Sequence, residues 1–385
     1  MVKPDDHLET RAIHAGEDTA RDGGSVVTPI YQSTVWNIDE SGGYADLGYI
    51  RYSNLPNHRV LADKLANLEN AERALVAASG MAAISSALLG HLSTGDHLLV
   101  SDVLYGGTHE LVTRMLPRFG IEYDFIDADR PDTWEAKRRP STRVIYVETI
   151  SNPLMRVPPM DEVGEFARRH GLTAMTDNTF ATPINFRPAE HGFHLSLHSA
   201  TKYMNGHSDL VAGALCGTAE AIERAKGAAK LLGGSLDPHA CFLLQRGLKT
   251  LGLRMRQHNR TGLALARHLA GHRAVERVHY PGLEGQPDHA RAARLLNGFG
   301  GMLAFEPVGG AEAADRILRR TRLATHAPSL GGVESLIVSP ARSSHAAMSP
   351  EERRRVGIGD GLVRISTGIE HPDDLIADLD QALSQ

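Results

Sequence analysis

The chain has 385 residues, with 41 lysines and arginines against 46 aspartates and glutamates, and a formal net charge of −5. This length can bury a large core and predicts two or three structural units. A slightly acidic chain without a basic block argues against a nucleic-acid partner. No run of about eighteen apolar residues occurs, so the sequence predicts no membrane span.

Cysteine and histidine usage argues against a disulfide framework and against a metal site. Cys216 and Cys241 lie among apolar residues without metal-ligand spacing, and we expect buried free thiols in a reducing compartment. His191, His194 and His198 form the best histidine cluster, but their spacing fits neither a helical zinc pair nor a zinc finger. The polar first seven residues lack the apolar stretch of a signal peptide, so we expect a cytoplasmic protein.

Strand-like and helix-like segments alternate from about residue 58 to residue 235. The predicted strands are 74–78, 97–101, 121–126, 143–148, 172–176, 195–199 and 210–216. The predicted helices between them are 80–92, 108–116 and 160–170. This alternation of apolar strands with helices predicts an α/β fold with a mainly parallel sheet that is covered on both faces. In such sheets ligands bind at the carboxyl ends of the strands.

The pattern changes after residue 237, where a long helix is predicted over 238–270. Shorter strands at 275–279, 302–305 and 363–366 follow, mixed with amphipathic helices. We therefore predict a main domain at 58–237 and a smaller α+β domain at 238–385. The first 57 residues are rich in Gly, Ser and Tyr, have weak periodicity, and are predicted to form an arm.

Lys202 is the most informative residue of the chain. It follows two hydroxyl residues, Ser199 and Thr201, which could bind a phosphate, and it precedes a glycine loop. Asp177 stands at the carboxyl end of the predicted strand 172–176. A lysine for an imine and a carboxylate for a protonated ring nitrogen are what pyridoxal phosphate requires. A surface lysine in a polar loop is the alternative, and it leaves Asp177 and the hydroxyls without a role.

Two further candidates lie just beyond predicted strands. Gly80 and Met81 begin a helix after a strand, where free backbone N–H groups and the helix dipole favour a phosphate. An ordinary tight turn would have the same sequence. Tyr105 could stack on a planar cofactor and exchange protons, or it could simply pack over the edge of the sheet.

Asn152 and Arg364 are candidates for binding a carboxylate. Asn152 precedes Pro153 in a turn after the strand at 143–148, and its amide could bond a cofactor oxygen or a substrate carboxylate. Arg364 interrupts an apolar strand, where a charge is costly unless it is paired, and a guanidinium binds carboxylates through two hydrogen bonds. The alternatives are a plain turn residue and an arginine on a solvated face.

These residues give the chain a clear resemblance to the cystathionine γ-synthase, γ-lyase and β-lyase family of pyridoxal-phosphate enzymes. The resemblance extends over nearly the whole chain. Its most specific segments are Ser199-Ala200-Thr201-Lys202-Tyr203, Gly206-His207-Ser208-Asp209 and Ser329-Leu330-Gly331-Gly332-Val333-Glu334-Ser335. It implies the aspartate-aminotransferase-like fold, pyridoxal-phosphate fold type I.

The resemblance also implies roles for individual residues. Lys202 would hold the cofactor, Asp177 would bind its ring nitrogen, and Tyr105 would stack on the ring. The residues implied at the phosphate are Gly80, Met81, Ser199 and Thr201, and those implied at the substrate carboxylate are Asn152, Ser329 and Arg364. Tyr49 and Arg51 would reach the phosphate site of the neighbouring subunit, which implies at least a dimer and, as is usual in the family, a homotetramer.

The implied activity is that of a carbon–sulfur lyase of sulfur amino-acid metabolism, most simply α,γ-elimination on cystathionine, homocysteine or methionine. Cystathionine β-lyase, cystathionine γ-synthase and O-acylhomoserine sulfhydrylase remain open, as does a cofactor-binding regulator without catalysis. Gly48 and Pro328 stand where family members that act on cystathionine by γ-chemistry often carry acidic residues. Gly107 stands where bacterial methionine γ-lyases typically have a cysteine.

Overall fold

The structure, a computed structural model, describes residues 3, 6–17, 24–37, 47–346 and 348–384. Parts of the predicted arm, at 1–2, 4–5, 18–23 and 38–46, lie outside the described residues. Among the described residues the helices, in chain order, are α1 (Leu8–His14), α2 (Pro56–Leu68), α3 (Gly80–His91), α4 (Gly106–Glu110), α5 (Met160–His170), α6 (Thr182–Asn185), α7 (Ala219–Leu232), α8 (Pro238–Leu248), α9 (Leu251–Ala270), α10 (His289–Leu295), α11 (Gly310–Arg320), α12 (Pro350–Arg355) and α13 (Pro372–Leu383). None of them is long and apolar enough to cross a lipid bilayer.

A central sheet of seven strands organises the described part of the chain. Its strands are β1 (Arg73–Ala77), β2 (His97–Ser101), β3 (Glu122–Ile126), β4 (Thr142–Glu148), β5 (Thr173–Asp177), β6 (Leu195–His198) and β7 (Gly213–Gly217). They lie in the order β1-β7-β6-β5-β4-β2-β3, and β7 runs antiparallel to both of its neighbours while the remaining pairs are parallel. The predicted α/β fold with a mainly parallel sheet is confirmed.

The two faces of this sheet bury different cores. Leu98 and Val100 pack into a core with α3 and α7, while Leu99 between them belongs to the core on the other face, with α2 and α5. Successive side chains of a strand point to opposite faces, so a strand covered on both sides must be apolar throughout. That requirement explains why the strands are recognisable as continuous apolar runs.

A second, smaller sheet lies in the C-terminal part of the chain. It contains β8 (Val275–His279), β9 (Met302–Pro307), β10 (Thr325–His326), β11 (Leu336–Val338) and β12 (Val363–Ser366), in the order β10-β11-β12-β9-β8. Its pairs are antiparallel apart from β10 with β11. Helices α9, α11 and α13 cover one face, in a core that includes Leu269, Ile317, Leu379 and Phe305. The boundary near residue 237 stays a prediction.

The prediction of one long helix over 238–270 is wrong in one respect. The chain turns between α8 and α9, so the segment forms two helices. The carbonyl of Gly247 accepts hydrogen bonds from the backbone and side chain of Thr250, at 3.2 and 3.1 Å, and from Arg254, at 2.8 Å. A Cβ at Gly247 would lie only 2.3 Å from the carbonyl oxygen of Asn205. These bonds end α8, and glycine permits the close approach.

Two other predicted elements are shifted. The helix predicted over 108–116 begins at Gly106, widens into a π-helical turn over Leu111–Met115, and ends in a 3₁₀ turn, Leu116–Phe119. Pro117 lacks an N–H group and cannot continue an α-helix there. The strand predicted over 210–216 begins only at Gly213, because Ala212 is hydrogen-bonded to Thr201 instead of entering the sheet.

Arg254 fixes the backbone that follows Lys202. Its side chain is 4 % exposed and donates to the carbonyl oxygens of Tyr203, Met204 and Gly247. We predict that Arg254→Met lowers the free energy of unfolding by about 3 kcal/mol, because the buried carbonyls of Tyr203 and Met204 lose their donor and that of Gly247 loses one of its three. Urea denaturation of wild type and the variant, followed by circular dichroism, measures this difference.

Arg256→Met on the same helix is the matched control. Arg256 is exposed and forms a surface ion pair with Glu9, so its loss should cost less than about 1 kcal/mol. Equal losses of unfolding free energy in the two variants would show that the carbonyl contacts of Arg254 stabilise the fold no more than a surface ion pair does.

Candidate active site

A cavity of about 870 Å³ opens where the carboxyl ends of the central strands meet the second sheet. This is the edge at which parallel α/β sheets bind ligands. Ten of the twelve predicted site residues line the cavity: Gly80, Met81, Tyr105, Asn152, Asp177, Ser199, Thr201, Lys202, Ser329 and Arg364. The structure therefore brings together residues that are up to 284 positions apart, 364 minus 80, in the chain.

Lys202 presents a half-buried amine to this cavity. Its Nζ donates to the Oγ of Ser329 at 2.7 Å, and its own backbone N–H donates to the carbonyl of Ser199 at 3.1 Å. Burial and, to a smaller extent, the positive charge of Arg364 lower the pKa of Lys202 to about 8. The lowered pKa increases the fraction of the amine that is neutral and nucleophilic near neutral pH, compared with an ordinary lysine.

Arg364 is buried, so the alternative interpretation of an arginine on a solvated face is wrong. It lies on β12 between β11 and β9, with 4 % of its surface exposed. Its guanidinium donates to the Oδ1 of Asn152 at 3.0 Å and to the carbonyl of Ser329 at 3.2 Å. Burial lowers the pKa of Arg364 to about 10, so the side chain stays charged at neutral pH. Both of these partners are neutral oxygens, and a buried cation with neutral partners favours an anionic ligand.

Asp177 and Glu148 form a pair of buried carboxyls at the ends of β5 and β4. The two residues are directly opposite in the parallel register. Asp177 accepts the N–H of Thr179 at 2.9 Å, and burial raises its pKa. Burial first, and then the charge of Asp177, raise the pKa of Glu148 well above its ordinary value. Two carboxyls in this arrangement cannot both ionise easily, which is why the neighbouring charge adds to the effect of burial on the pKa of Glu148.

Glu148 is the site residue that the sequence did not reveal. Its two oxygens accept the backbone N–H groups of Tyr105, at 2.6 Å, and Asn152, at 3.1 Å. It therefore connects two loops that carry predicted site residues. The only signal in the sequence was an acidic residue at the end of an apolar strand, the same signal that identified Asp177.

The residues predicted at a phosphate surround the first turn of α3. Gly80 approaches Ser199 so closely that a Cβ at Gly80 would lie 2.8 Å from the Cβ of Ser199. Ser79 caps the helix by accepting the N–H of Ala82 at 3.0 Å. The hydroxyl of Thr201 is hydrogen-bonded to the backbone of Ala212, at 2.9 and 3.1 Å. An anion at this turn would meet free backbone donors and the positive end of the helix dipole.

The ring of Tyr105 faces the cavity and depends on a neighbouring glycine. Its side chain is partly exposed, and a Cβ at Gly107 would lie 2.6 Å from its Cε1 and 3.0 Å from the sulfur of Met81. A cysteine at position 107 would thus displace the ring from this position. Tyr105 is free on the cavity side to contact a planar ligand.

Tyr49 and Arg51 do not line the cavity of their own chain. Arg51 donates to the carbonyl of Lys230 at 2.9 Å, and its guanidinium carbon lies 5.5 and 5.1 Å from the ring centroids of Tyr49 and Tyr52. Within one chain, these two residues are therefore not part of the predicted phosphate site.

The three clustered histidines have separate partners. His191 bonds to Asp161 at 2.7 Å, His194 accepts the N–H of Ala174 at 3.0 Å, and His198 bonds to Glu69 at 2.5 Å. Within the described ranges no group of three His, Cys, Asp or Glu side chains could hold a metal ion. Both cysteines are buried free thiols.

Glu148→Gln tests whether Glu148 carries a proton. If the pKa of Glu148 is raised in the folded chain, the folded chain binds one more proton than the unfolded chain at any pH between the ordinary and the raised pKa. The free energy of unfolding then falls as the pH rises through that window. Glutamine does not titrate, so the stability of Glu148→Gln relative to wild type should rise with pH above the ordinary glutamate pKa of 4.5, with a slope of up to about 1.4 kcal/mol per pH unit.

Urea denaturation of both proteins at several pH values measures this trend. Glu284→Gln, at an exposed glutamate, is the control and should follow the wild-type slope. A difference between wild type and Glu148→Gln that does not change with pH would contradict the raised pKa.

Comparison with known proteins gives one consistent answer. The family model described as "Cys/Met metabolism PLP-dependent enzyme" matches residues 9–384. The chain is 41 % identical to L-methionine gamma-lyase of Pseudomonas putida, over 97 % of this chain and 96 % of the relative. It is 39 % identical to cystathionine gamma-lyase of Bacillus subtilis, over 97 % and 98 %, and 38 % identical to cystathionine beta-lyase of Lactococcus lactis, over 98 % and 99 %.

A solved structure agrees with these relatives. The crystal structure of cystathionine gamma-lyase from Lactobacillus plantarum in complex with L-serine superimposes with a TM-score of 0.93 and 34 % identity, over 98 % of each chain. The fold and the sequence therefore point to the same group. The chain belongs to the Cys/Met metabolism family of pyridoxal-phosphate-dependent enzymes.

Proposed function

We propose that this enzyme is a carbon–sulfur lyase that acts on cystathionine or a related sulfur amino acid, by α,γ-elimination. The observation that carries the proposal is that the amine of Lys202, the carboxyl of Asp177 and the buried guanidinium of Arg364 line one cavity. The relatives of the chain are methionine and cystathionine lyases.

The residues present in the cavity fit pyridoxal phosphate. Lys202 offers an amine for its aldehyde, Asp177 a buried carboxylate for its ring nitrogen, and Tyr105 a ring face. At Gly80 no side chain stands between the first turn of α3 and Ser199, which leaves backbone donors for a phosphate. Met81, Ser199 and Thr201 would complete the phosphate site. When bound, the cofactor supplies a protonated ring that withdraws electrons from the substrate's α-carbon.

Lys202 would then act as the base of the reaction. Its amine, when free, would take the proton from the α-carbon near neutral pH, because its pKa is lowered to about 8. A second proton removal, from the β-carbon, is needed before a γ-substituent leaves. Arg364, together with Asn152 and Ser329, would hold the substrate's α-carboxylate and so orient the α-hydrogen towards Lys202.

One substrate panel tests this proposal and its alternatives. Cystathionine, homocysteine, methionine, cysteine, and O-acylhomoserine with cysteine are each incubated with the holoenzyme, and the keto acid is identified. We expect 2-oxobutanoate from cystathionine. Pyruvate from cystathionine would indicate β-elimination, and cystathionine formed from O-acylhomoserine would indicate a synthase. The absence of any keto acid would favour a cofactor-binding regulator.

We also propose that the active site is completed across a subunit boundary. The arm at 1–57 would bring Tyr49 and Arg51 to the phosphate of a neighbouring subunit's cofactor-binding domain, 58–237, with 238–385 as the C-terminal domain. This supports at least a dimer and, by analogy with the family, a homotetramer. The two free buried cysteines support a cytoplasmic location.

Arg51→Ala tests this assembly. A charge-assisted hydrogen bond to phosphate is worth about 1.5–3 kcal/mol, so cofactor affinity should fall by roughly tenfold to a hundredfold while the subunit stays folded. Equilibrium dialysis of pyridoxal phosphate measures the change. Arg73→Ala, which breaks an exposed ion pair with Glu223, is the control and should keep wild-type affinity. A fully active monomer on a sizing column would contradict the proposal.

A further inference from the structure

A charged pair lies at the outer rim of the active-site cavity. Asp315 on α11 and Arg342, in the 3₁₀ turn Pro340–Arg342, both line the cavity. The two guanidinium nitrogens of Arg342 donate to the two carboxylate oxygens of Asp315, at 2.5 and 2.9 Å. The Arg342 side chain is 62 % exposed and that of Asp315 is 25 % exposed. Such an exposed pair contributes little to stability, so its partners can be exchanged at small cost.

The turn that carries Arg342 is connected directly to the predicted carboxylate site. In the second sheet, Val338 stands opposite Arg364. Arg342 follows four residues later, on the same wall of the cavity. His345 then bonds to the carbonyl of Leu104 at 3.1 Å, which anchors the segment next to Tyr105. Arg364 and Arg342 therefore line the same cavity from neighbouring segments of the second sheet and the turn that follows it.

Cystathionine matches this arrangement because it carries an amino-acid group at each end. One α-carboxylate would bind Arg364, and the distal carboxylate fits the planar fork of Arg342. Asp315 offers a carboxylate to the distal ammonium group. Methionine and homocysteine have no charged group that could reach the rim.

We infer that Asp315 and Arg342 bind the distal amino-acid end of cystathionine and are specificity-determining residues. The inference rests on the proposed lyase function. Pro328, which also lines the cavity, carries no charge, and the carboxylate that Asp315 offers comes from α11.

Two substitutions in the holoenzyme separate the two contacts. Arg342→Met should lower kcat/KM for cystathionine and for O-succinylhomoserine by at least about tenfold, mainly through KM, because both carry a distal carboxylate. Asp315→Asn should lower kcat/KM for cystathionine alone, because O-succinylhomoserine has no distal ammonium group. Methionine should stay within about twofold of wild type in both variants.

Two exposed residues of α11 outside the cavity provide the controls. Arg316→Met and Glu312→Gln make the same changes of charge and should leave the preference for cystathionine over methionine unchanged. Melting temperatures of all four variants close to that of wild type would show that folding is not the cause of any change.

The outcomes separate the inference from the proposed function. If wild type forms a keto acid but Arg342→Met and Asp315→Asn keep its substrate preference, the inference fails and the lyase stands. If wild type cleaves methionine but not cystathionine, the inhibition constant of cystathionine takes the place of KM, with the same expectation. If wild type cleaves no member of the panel, the proposed function fails and the inference with it.

Discussion

The active site depends on four ionisable side chains that the fold holds together in a cavity between its two sheets. Lys202 and Arg364 supply positive charge, and Asp177 and Glu148 supply carboxyls. Each of them would be costly to bury alone, because an isolated charge loses its hydration. The central sheet contributes both carboxyls from neighbouring parallel strands, whereas Arg364 comes from the antiparallel second sheet. The cavity therefore exists only when both sheets are in place.

A second set of residues keeps this cluster in position. Arg254 binds the carbonyls that follow Lys202, and Glu148 binds the N–H groups of Tyr105 and Asn152. Ser329, which accepts the hydrogen bond of Lys202, has a φ of +100°, a conformation that non-glycine residues rarely adopt. Arg364 holds its carbonyl in that conformation. Local strain of this kind occurs where the surrounding contacts over-determine the backbone, and it is frequent in active sites.

Much of this could be predicted from the sequence, for identifiable physical reasons. The strands of the central sheet were recognisable because both of their faces are buried. Lys202 and Asp177 were recognisable because few functions require a lysine and an aspartate in these positions. β10 and β11 were missed because two and three residues are too few to show a periodicity. The break between α8 and α9 depends on tertiary contacts of Gly247 and Arg254, which no local pattern records.

The other features of the site could not be predicted from the sequence, because they depend on which residues the fold brings next to one another. Alternation along β12 could not show whether Arg364 faced solvent, since both sides of that strand are covered. Glu148 acquires its role only from the register that places it beside Asp177. Asp315 and Arg342 are 27 residues apart (342 minus 315), with the strands β10 and β11 and several turns between them. Their meeting at the cavity rim is a property of the fold alone.

The central claim is that this cluster holds pyridoxal phosphate on Lys202. The most direct measurement is to treat the purified holoenzyme with borohydride, digest it, and locate the cofactor-bearing peptide by mass spectrometry. The account predicts a yellow protein that bleaches on reduction, with the cofactor fixed to Lys202 and none fixed in Lys202→Ala. A colourless protein that takes up no added cofactor, or a label on another lysine, would contradict it.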